Sequence, residues 1–286
     1  MIQHGDPRSS VPGDLGKDSG RAAMSRRPKT METDPIWQTG PMIKGKWLLV
    51  MGVVVIGAIA AVGWWVLRDT TTPVAIDVVQ GEFGGAAGSS AGDPGIYRYR
   101  TSGFEEIDAL SGARHEYPDE TFMTISVGEC GPVVRWDALE ERWIDWDHCG
   151  PDLAVSASAT YHEWFGIPDL ENETCADPRP IAGIAGEITT TVCEAEGILE
   201  TYETTIMGQE TLDVAGVPIE TTHLRRTSSL SGGSTGDAEV DVWRANGTAL
   251  VVRMEVVRRS ATPSAVGDVT YSEEFVLDLI GLAPGG

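Results

Sequence analysis

An uncharged apolar stretch near the amino end is the feature that most constrains this fold. Residues 47–67 read WLLVMGVVVIGAIAAVGWWVL, without a charged side chain. At about 1.5 Å per residue, a helix of this length spans ~30 Å, the thickness of a bilayer's hydrocarbon core. A cleaved signal peptide is the alternative, but its apolar region is shorter and ends in small residues, whereas this stretch ends in two Trp, a Val and a Leu. The sequence therefore predicts an uncleaved transmembrane signal anchor over residues 46–68.

The charges beside this stretch predict its orientation. Positive flanks stay on the cytoplasmic side of a membrane. After the stretch only Arg68 follows closely, and Asp69 offsets it, whereas the preceding side carries Arg26, Arg27, Lys29, Lys44 and Lys46. We therefore expect a single-pass protein of the cell membrane with its N-terminus in the cytoplasm and its C-terminal domain outside.

Composition divides the rest of the chain. Residues 1–45 are rich in Gly, Pro, Ser and Asp without apolar periodicity, which predicts a disordered cytoplasmic tail. Residues 69–95 have the Gly, Ser and Thr content of a flexible linker. Residues 96–286 are expected to form one extracytoplasmic β-rich domain.

The net charge of the chain is −22, from 21 basic and 43 acidic residues. An acidic surface repels nucleic-acid phosphates, so a nucleic acid is not an expected partner. Arg is favoured over Lys, and Ala, Gly and Val are abundant, which is typical of a GC-rich bacterial genome.

Short apolar runs with a period of two predict strands. Residues 97–101 and 121–127 show it clearly, and the Asn246-Gly247 pair predicts a tight hairpin. A short helix is expected at 162–165. The predicted fold class is all-β, an antiparallel curved sheet, half-barrel or sandwich. Further strands are predicted at 133–139, 142–146, 153–158, 187–193, 200–206, 218–228, 240–244, 249–258 and 270–279.

Four cysteines follow the apolar stretch: Cys130, Cys149, Cys175 and Cys193. An even number in an oxidising compartment indicates disulfide bonds, and three pairings are possible. Sequential pairing, Cys130–Cys149 and Cys175–Cys193, joins the nearest neighbours in the chain and is preferred. A structural zinc site usually needs a closely spaced cysteine pair, which is missing, so no metal is expected.

One motif suggests catalysis. Residues 232–236, GGSTG, match the G-x-S-x-G string of serine hydrolases, which requires a strand, a strained elbow at the serine and then a helix. Here the string lies between two predicted strands, which favours a flexible loop. We therefore expect no enzyme and no cofactor, with a hydrolase using Ser234 and a histidine such as His223 as the alternative. His148, beside Asp145 and Asp147, is expected to have a structural role.

Four tryptophans fall close together: Trp136, Trp143, Trp146 and Trp164. Aromatic residues at this density pack in a core or, where accessible, line a pocket for an acyl chain, a sugar or an aromatic ligand. We identify them as the candidate ligand-binding residues.

Part of the C-terminal half resembles a known group of proteins. A strand containing Trp243 turns through Asn246-Gly247 into a strand near Arg253, after a Gly-containing segment at 208–219. This pattern, over about residues 208–258, is similar to the half-barrel lipoprotein carriers of bacterial envelopes and related periplasmic β-proteins of uncharacterised function. The resemblance implies a curved antiparallel sheet around an apolar concavity and no catalytic residue. The chain departs from these carriers by its membrane anchor, its cysteines and its lack of a lipobox cysteine.

Together these features predict a membrane-anchored extracytoplasmic module that binds a hydrophobic ligand or an envelope protein. Its other expected partner is the lipid bilayer, through residues 47–67. A regulatory anchor that signals through the N-terminal tail is a further alternative. The sequence does not set the oligomeric state.

Overall fold

The computed structural model describes residues 69–83, 87–110, 112–265 and 267–285. The predicted tail (1–45) and transmembrane helix (46–68) lie outside this part of the chain. Within it, no helix combines the length and the apolar character needed to cross a membrane. One helix, α1 (Ile76–Phe83), precedes thirteen strands: β1 Gly95–Ile107, β2 Ala113–Glu116, β3 Glu120–Val127, β4 Pro132–Leu139, β5 Arg142–Cys149, β6 Ala154–Trp164, β7 Ile167–Arg179, β8 Ile188–Ala195, β9 Ile198–Val214, β10 Val217–Gly232, β11 Thr235–Ala245, β12 Val251–Ser264 and β13 Gly267–Leu279.

The strands form one antiparallel sheet that closes on itself. From β3 to β13, neighbours in sequence are neighbours in the sheet, and β13 returns to pair with β1 from Tyr99↔Leu279 to Ile107↔Tyr271. Strands β2 and β3 pair with successive halves of β1, so the closed sheet has twelve strand positions. Gly103 lies in the closing seam with φ 133°, and a Cβ there would collide with the carbonyl oxygen of Glu274. The all-β antiparallel prediction is confirmed, but the sheet is closed, not a half-barrel or a sandwich.

The closed sheet has two different ends. The turns β1–β2, β4–β5, β6–β7, β8–β9, β10–β11 and β12–β13 lie at one end, which we call the rim. The interior towards the other end is filled by an apolar core that includes Tyr97, Trp136, Leu224, Val242 and Leu250. Side chains alternate between the two faces of a strand, so every second residue points into this core and the residues between them lie on the outer face.

The chain reaches the sheet across the rim. Asp69 binds the β6–β7 turn, where Phe165 N donates to Oδ1 at 2.9 Å, and Thr72 N donates to Glu141 of the β4–β5 turn at 2.8 Å. Helix α1 then packs Val79 against Ile96 and Phe122 on the outer face. Residues 69–95 were expected to be a flexible linker. In the structure Val79 is buried, and hydrogen bonds of Asp69 and Thr72 join the start of this segment to the sheet.

The turn between β6 and β7 replaces the short helix expected at 162–165. Phe165 and Gly166 have φ values of 56° and 72°, as in the tight turns that join antiparallel strands. Strand β7 was not predicted from the sequence. Most of its residues are exposed and Pro168 and Pro178 interrupt it, so apolar and polar residues do not alternate along it. The hairpin expected at Asn246-Gly247 is present between β11 and β12, with a φ of 71° at the glycine.

Both predicted disulfides are confirmed. Cys130 pairs with Cys149 and Cys175 pairs with Cys193. The second bond crosses the β7–β8 boundary, where only Thr174↔Glu194 and Cys175↔Cys193 are in register. This boundary is therefore held by few backbone contacts and one covalent bond.

Candidate functional site

A cavity of about 260 Å³ lies inside the closed sheet, between the apolar core and the rim. Its apolar lining includes these inward-facing residues of β5, β11 and β12: Ile144, Trp146, Val240, Met254 and Val256. These side chains belong to the core cluster or pack on it. The lining thus continues the core and offers an apolar surface to a bound molecule.

The cavity reaches the rim. Among the residues that line it, Ile198 follows the β8–β9 turn, Ser234 lies in the β10–β11 turn, and Trp164 ends β6. Asp69 lies at the same end, because Phe165 of the β6–β7 turn donates to its carboxylate. A molecule entering at the rim would therefore pass close to the point where the chain joins the sheet.

Glu105 is the centre of one group of buried charges. His115 Nδ1 and His162 Nδ1 each lie 2.8 Å from its carboxylate, and the Tyr271 hydroxyl donates to it at 3.1 Å. Burial raises the pKa of Glu105, but the hydrogen bonds from His115 and His162 outweigh this effect and bring it to about 2. Glu105 is therefore an anion whose charge is balanced by its neighbours.

Arg142 and Glu273 form a second buried pair. Arg142 Nη2 donates to Glu273 Oε1 at 2.8 Å, and the Tyr117 hydroxyl donates to the same oxygen at 2.7 Å. Arg142 Nε also lies 3.3 Å from Glu105. This arginine is thus neutralised by carboxylates of the protein itself.

Two further arginines of the cavity have carboxylate partners. Arg179 lies 3.2 Å from Glu173, to which Tyr202 also donates, and Arg258 lies 3.3 Å from Glu200. For Arg258, the charge of Glu200 raises the guanidinium pKa. Both arginines are therefore compensated.

Arg226 and Arg244 are different. Of the carboxylates that the structure describes, none is within ion-pair distance of either guanidinium. Arg226 Nη2 donates to the carbonyl of Pro180 at 3.1 Å, and Arg244 Nη1 donates to that of Ala249 at 2.8 Å. The Nε atom of each is buried without an acceptor. The exposed fractions are only 7% for Arg226 and 2% for Arg244.

The pKa values of these two arginines reflect their surroundings. Burial, followed by the charges of Arg179 and Arg244, lowers the pKa of Arg226 to about 9. Burial also lowers the pKa of Arg244 to about 10, with Arg179 acting in the same direction. The three guanidinium groups therefore form a cluster whose members repel one another.

His148 borders this cluster as a neutral ring. Its Nδ1 donates to the carbonyl of Leu153 at 2.7 Å, and Nε2 lies 3.5 Å from Arg244 Nη1. Burial and the Arg244 charge lower the pKa of His148 to about 3. Both ring nitrogens of His148 therefore have partners within the protein.

The four candidate tryptophans do not form one group. Trp146 and Trp164 line the cavity. Trp136 is fully buried in the core, where its ring lies 4.4 Å from that of Phe275. Trp143 is on the outer face, stacked on Tyr161. Alternation along β5 explains the separation of Trp143 and Trp146, which are three residues apart and so point to opposite faces.

The alternative hypothesis of a serine hydrolase requires Ser234 and His223 to lie together, and the structure places them apart. The Ser234 hydroxyl lies 2.7 Å from that of Thr262 inside the rim. His223 is on the outer face, between Glu210 and Asp241 at 2.8 and 2.6 Å and stacked on Trp243. Each side chain therefore has local partners on its own face of the sheet.

One group of residues in the described part of the chain has atoms spaced like metal ligands: Glu173, Cys175 and Cys193. The two cysteines are joined in a disulfide, so neither offers a thiolate. The disulfide accounts for the short distances between the atoms of this group.

The arginine cluster was not among the residues predicted from the sequence. Arg226 follows Leu224 by two residues and precedes Leu230 by four, so it has the inward phase of β10. An arginine at an inward-facing position of a strand could have indicated a buried charge. The adjacent Arg225 lies on the outer face, so the pair reads as an ordinary exposed basic pair.

Comparisons with known proteins give little further information. No protein-family model matches the chain, and no curated protein matches its sequence. One solved structure, that of the hypothetical lipoprotein YmcC from Escherichia coli (K12), aligns with a TM-score of 0.34 and 11% identity, over 76% of this chain and 100% of that one.

Proposed function

We propose that this protein is a membrane-anchored, extracytoplasmic binding protein that holds a hydrophobic ligand, or the hydrophobic part of one, inside its closed sheet. The observation that carries the proposal is the cavity of about 260 Å³ with an apolar lining that includes Trp146 and Val256. Burial of apolar ligand surface in such a cavity supplies the binding free energy. The role is binding without catalysis.

The position of the predicted anchor supports a ligand that comes from the bilayer. The predicted transmembrane stretch ends at Leu67, and Asp69 is hydrogen-bonded at the rim. Two residues of chain span at most about 7 Å, so the rim would lie next to the membrane surface. The cavity extends to the rim. An apolar molecule from the bilayer would therefore have only a short path through water.

Quenching of tryptophan fluorescence tests the proposal. The full-length chain in lipid nanodiscs is titrated with brominated undecanol, a neutral probe whose bromine quenches nearby indole rings. We expect saturable quenching in the wild type and a smaller amplitude in Trp146→Phe and Trp164→Phe. Trp143→Phe is the matched control, because Trp143 lies on the outer face.

The control separates the cavity from the bilayer. Tryptophans in contact with lipid are quenched by probe dissolved in the membrane, and this background is the same in every variant. If the three variants show equal loss of amplitude, or if the wild type shows only the non-saturable background, the cavity does not hold the probe and the proposal is wrong.

A further inference from the structure

Two of the cavity's five arginines have no counter-ion in the described part of the protein. Arg142, Arg179 and Arg258 each lie within 3.3 Å of a glutamate, whereas Arg226 and Arg244 donate only to backbone carbonyls and, weakly, to a neutral histidine. Buried charged groups are normally paired, because removal of a charge from water is costly. The part of the cavity beside Arg226 and Arg244 therefore carries unpaired positive charge, although the lining as a whole contains five arginines and five carboxylates.

The unpaired donors are suited to an oxyanion. A guanidinium presents five N–H donors in a rigid planar fork, the geometry that carboxylate and phosphate groups match. In Arg226 and Arg244, as in Arg179, the buried Nε donor has no acceptor, and all three side chains line the same cavity. An anion between them would accept these donors and would also reduce the repulsion among Arg226, Arg244 and Arg179.

We propose that Arg226 and Arg244, with Arg179 beside them, bind the carboxylate or phosphate headgroup of an anionic amphiphile whose apolar part lies against the cavity lining. This inference rests on the proposed function and adds the chemical class of the ligand. Arg226 and Arg244 hold the headgroup, and Trp146 contacts the apolar part.

An amphiphile fits better than a free inorganic anion. The chain carries a net charge of −22, which repels any anion that approaches through water, and an amphiphile that comes from the bilayer would avoid part of that path. The cavity also has an apolar lining, which an inorganic ion would leave uncovered. An anionic headgroup attached to an apolar tail satisfies both parts of the cavity.

Two matched probes test the inference in the full-length chain in nanodiscs. Brominated undecanoate and brominated undecanol have the same tail and differ in headgroup charge. We expect the wild type to bind the carboxylate about tenfold or more tightly than the alcohol, since a hydrogen bond to a charged group contributes that much. Arg226→Gln and Arg244→Gln should each reduce affinity for the carboxylate about tenfold and leave affinity for the alcohol unchanged.

Two further variants complete the design. Arg226→Lys keeps the charge but loses the planar fork, so it should retain part of the preference for the carboxylate. Arg259→Gln removes a charge from an exposed position of β12 and should change neither affinity. The wild-type comparison of the two probes needs no variant, so the inference stays testable even where a substitution prevents folding.

Each outcome has a separate meaning. If alcohol and carboxylate bind equally, or Arg226→Gln and Arg244→Gln leave the preference unchanged, the headgroup inference is wrong and the proposed function stands. If neither probe quenches Trp146 or Trp164, both fail. If inorganic phosphate displaces the carboxylate probe at similar concentrations, the oxyanion site is supported and the amphiphile is rejected.

Discussion

Asp69 Oδ2 lies 2.6 Å from Nε2 of His115, where the chain first meets the rim. His115 Nδ1 lies 2.8 Å from Glu105, so both ring nitrogens face carboxylates. Burial lowers the pKa of His115, but the hydrogen bond and charge of Glu105, together with Asp69, outweigh burial and raise it above the ordinary 6.5. The imidazolium thus connects the residue that follows the predicted anchor to the charges inside the closed sheet.

The first prediction concerns this contact and pH. Because the folded pKa of His115 is raised, its stabilisation is complete below about pH 6.5 and is lost as pH rises through the folded value. Asp69→Asn should weaken the attachment of residues 69–75 by about 1.5–3 kcal/mol. Amide hydrogen exchange of this segment, measured over a range of pH, should show protection that decreases with rising pH in the wild type and is weak throughout in Asp69→Asn.

The control for this measurement is Asp77→Asn, which changes an exposed carboxylate of α1 just after this segment. It should leave the exchange rates of residues 69–75 unchanged. Equal exchange in Asp69→Asn and in the wild type would show that the Asp69–His115 contact does not hold the segment.

Local patterns in the sequence were sufficient for most strands but not for closure. The alternation at 121–127 and the Asn246-Gly247 turn act over a few residues, and both were predicted correctly. The pairing of β1 with β13 joins residues such as Tyr99 and Leu279, which are far apart in the chain. A pattern over a few residues does not predict a pairing between distant strands. The sequence therefore predicted a curved sheet but not its closure.

The candidate site was only partly predictable for a similar reason. Two tryptophans of the cluster, Trp146 and Trp164, line the cavity, and the period of two places Trp143 and Trp146 on opposite faces. The lack of an ion-pair partner at two arginines, in contrast, depends on which carboxylates reach which arginines across the closed sheet. Arg226 and Arg244 are on different strands, and their lack of a counter-ion becomes visible only when every pairing is known.

The second prediction compares two buried arginines in the ligand-free protein. Arg142→Met leaves Glu273 without its cation and removes one of the cations beside Glu105, and it should lower the free energy of unfolding by about 3–5 kcal/mol. Arg226→Met loses one hydrogen bond to Pro180 but also removes an unpaired buried charge, so its free energy of unfolding should stay within about 1 kcal/mol of the wild type. Urea unfolding measures both, and equal losses would contradict the assignment of Arg226 as uncompensated.

The third prediction concerns the β7–β8 boundary. Only two residue pairs are in register there, compared with eight between β8 and β9, so the Cys175–Cys193 bond replaces backbone pairing. A double substitution of these cysteines by serine should increase hydrogen exchange in β7 and β8 and lower the free energy of unfolding by about 2–4 kcal/mol.

The Cys130–Cys149 bond is the matched control for that variant. The two disulfides span 19 and 18 residues, so the entropic effect of loop closure on the unfolded state is nearly the same. Removal of Cys130–Cys149 should therefore lower stability by a similar amount without increasing exchange in β7 and β8. Similar exchange in both variants would mean that the boundary does not depend on its disulfide.

The fourth prediction uses His148, whose pKa changes in the opposite direction to that of His115. Burial and the Arg244 charge hold the folded pKa near 3, against 6.5 for an exposed histidine. The unfolded chain therefore binds a proton that the folded protein does not, and stability falls as pH decreases from 6.5 towards 3. Within this range His148 contributes a slope of about 1.4 kcal/mol per pH unit, which His148→Gln should remove. Because carboxylates titrate in the same range, the quantity to measure is the difference in unfolding free energy between wild type and variant at each pH. A difference that does not change with pH would show that the ring is not held neutral beside Arg244.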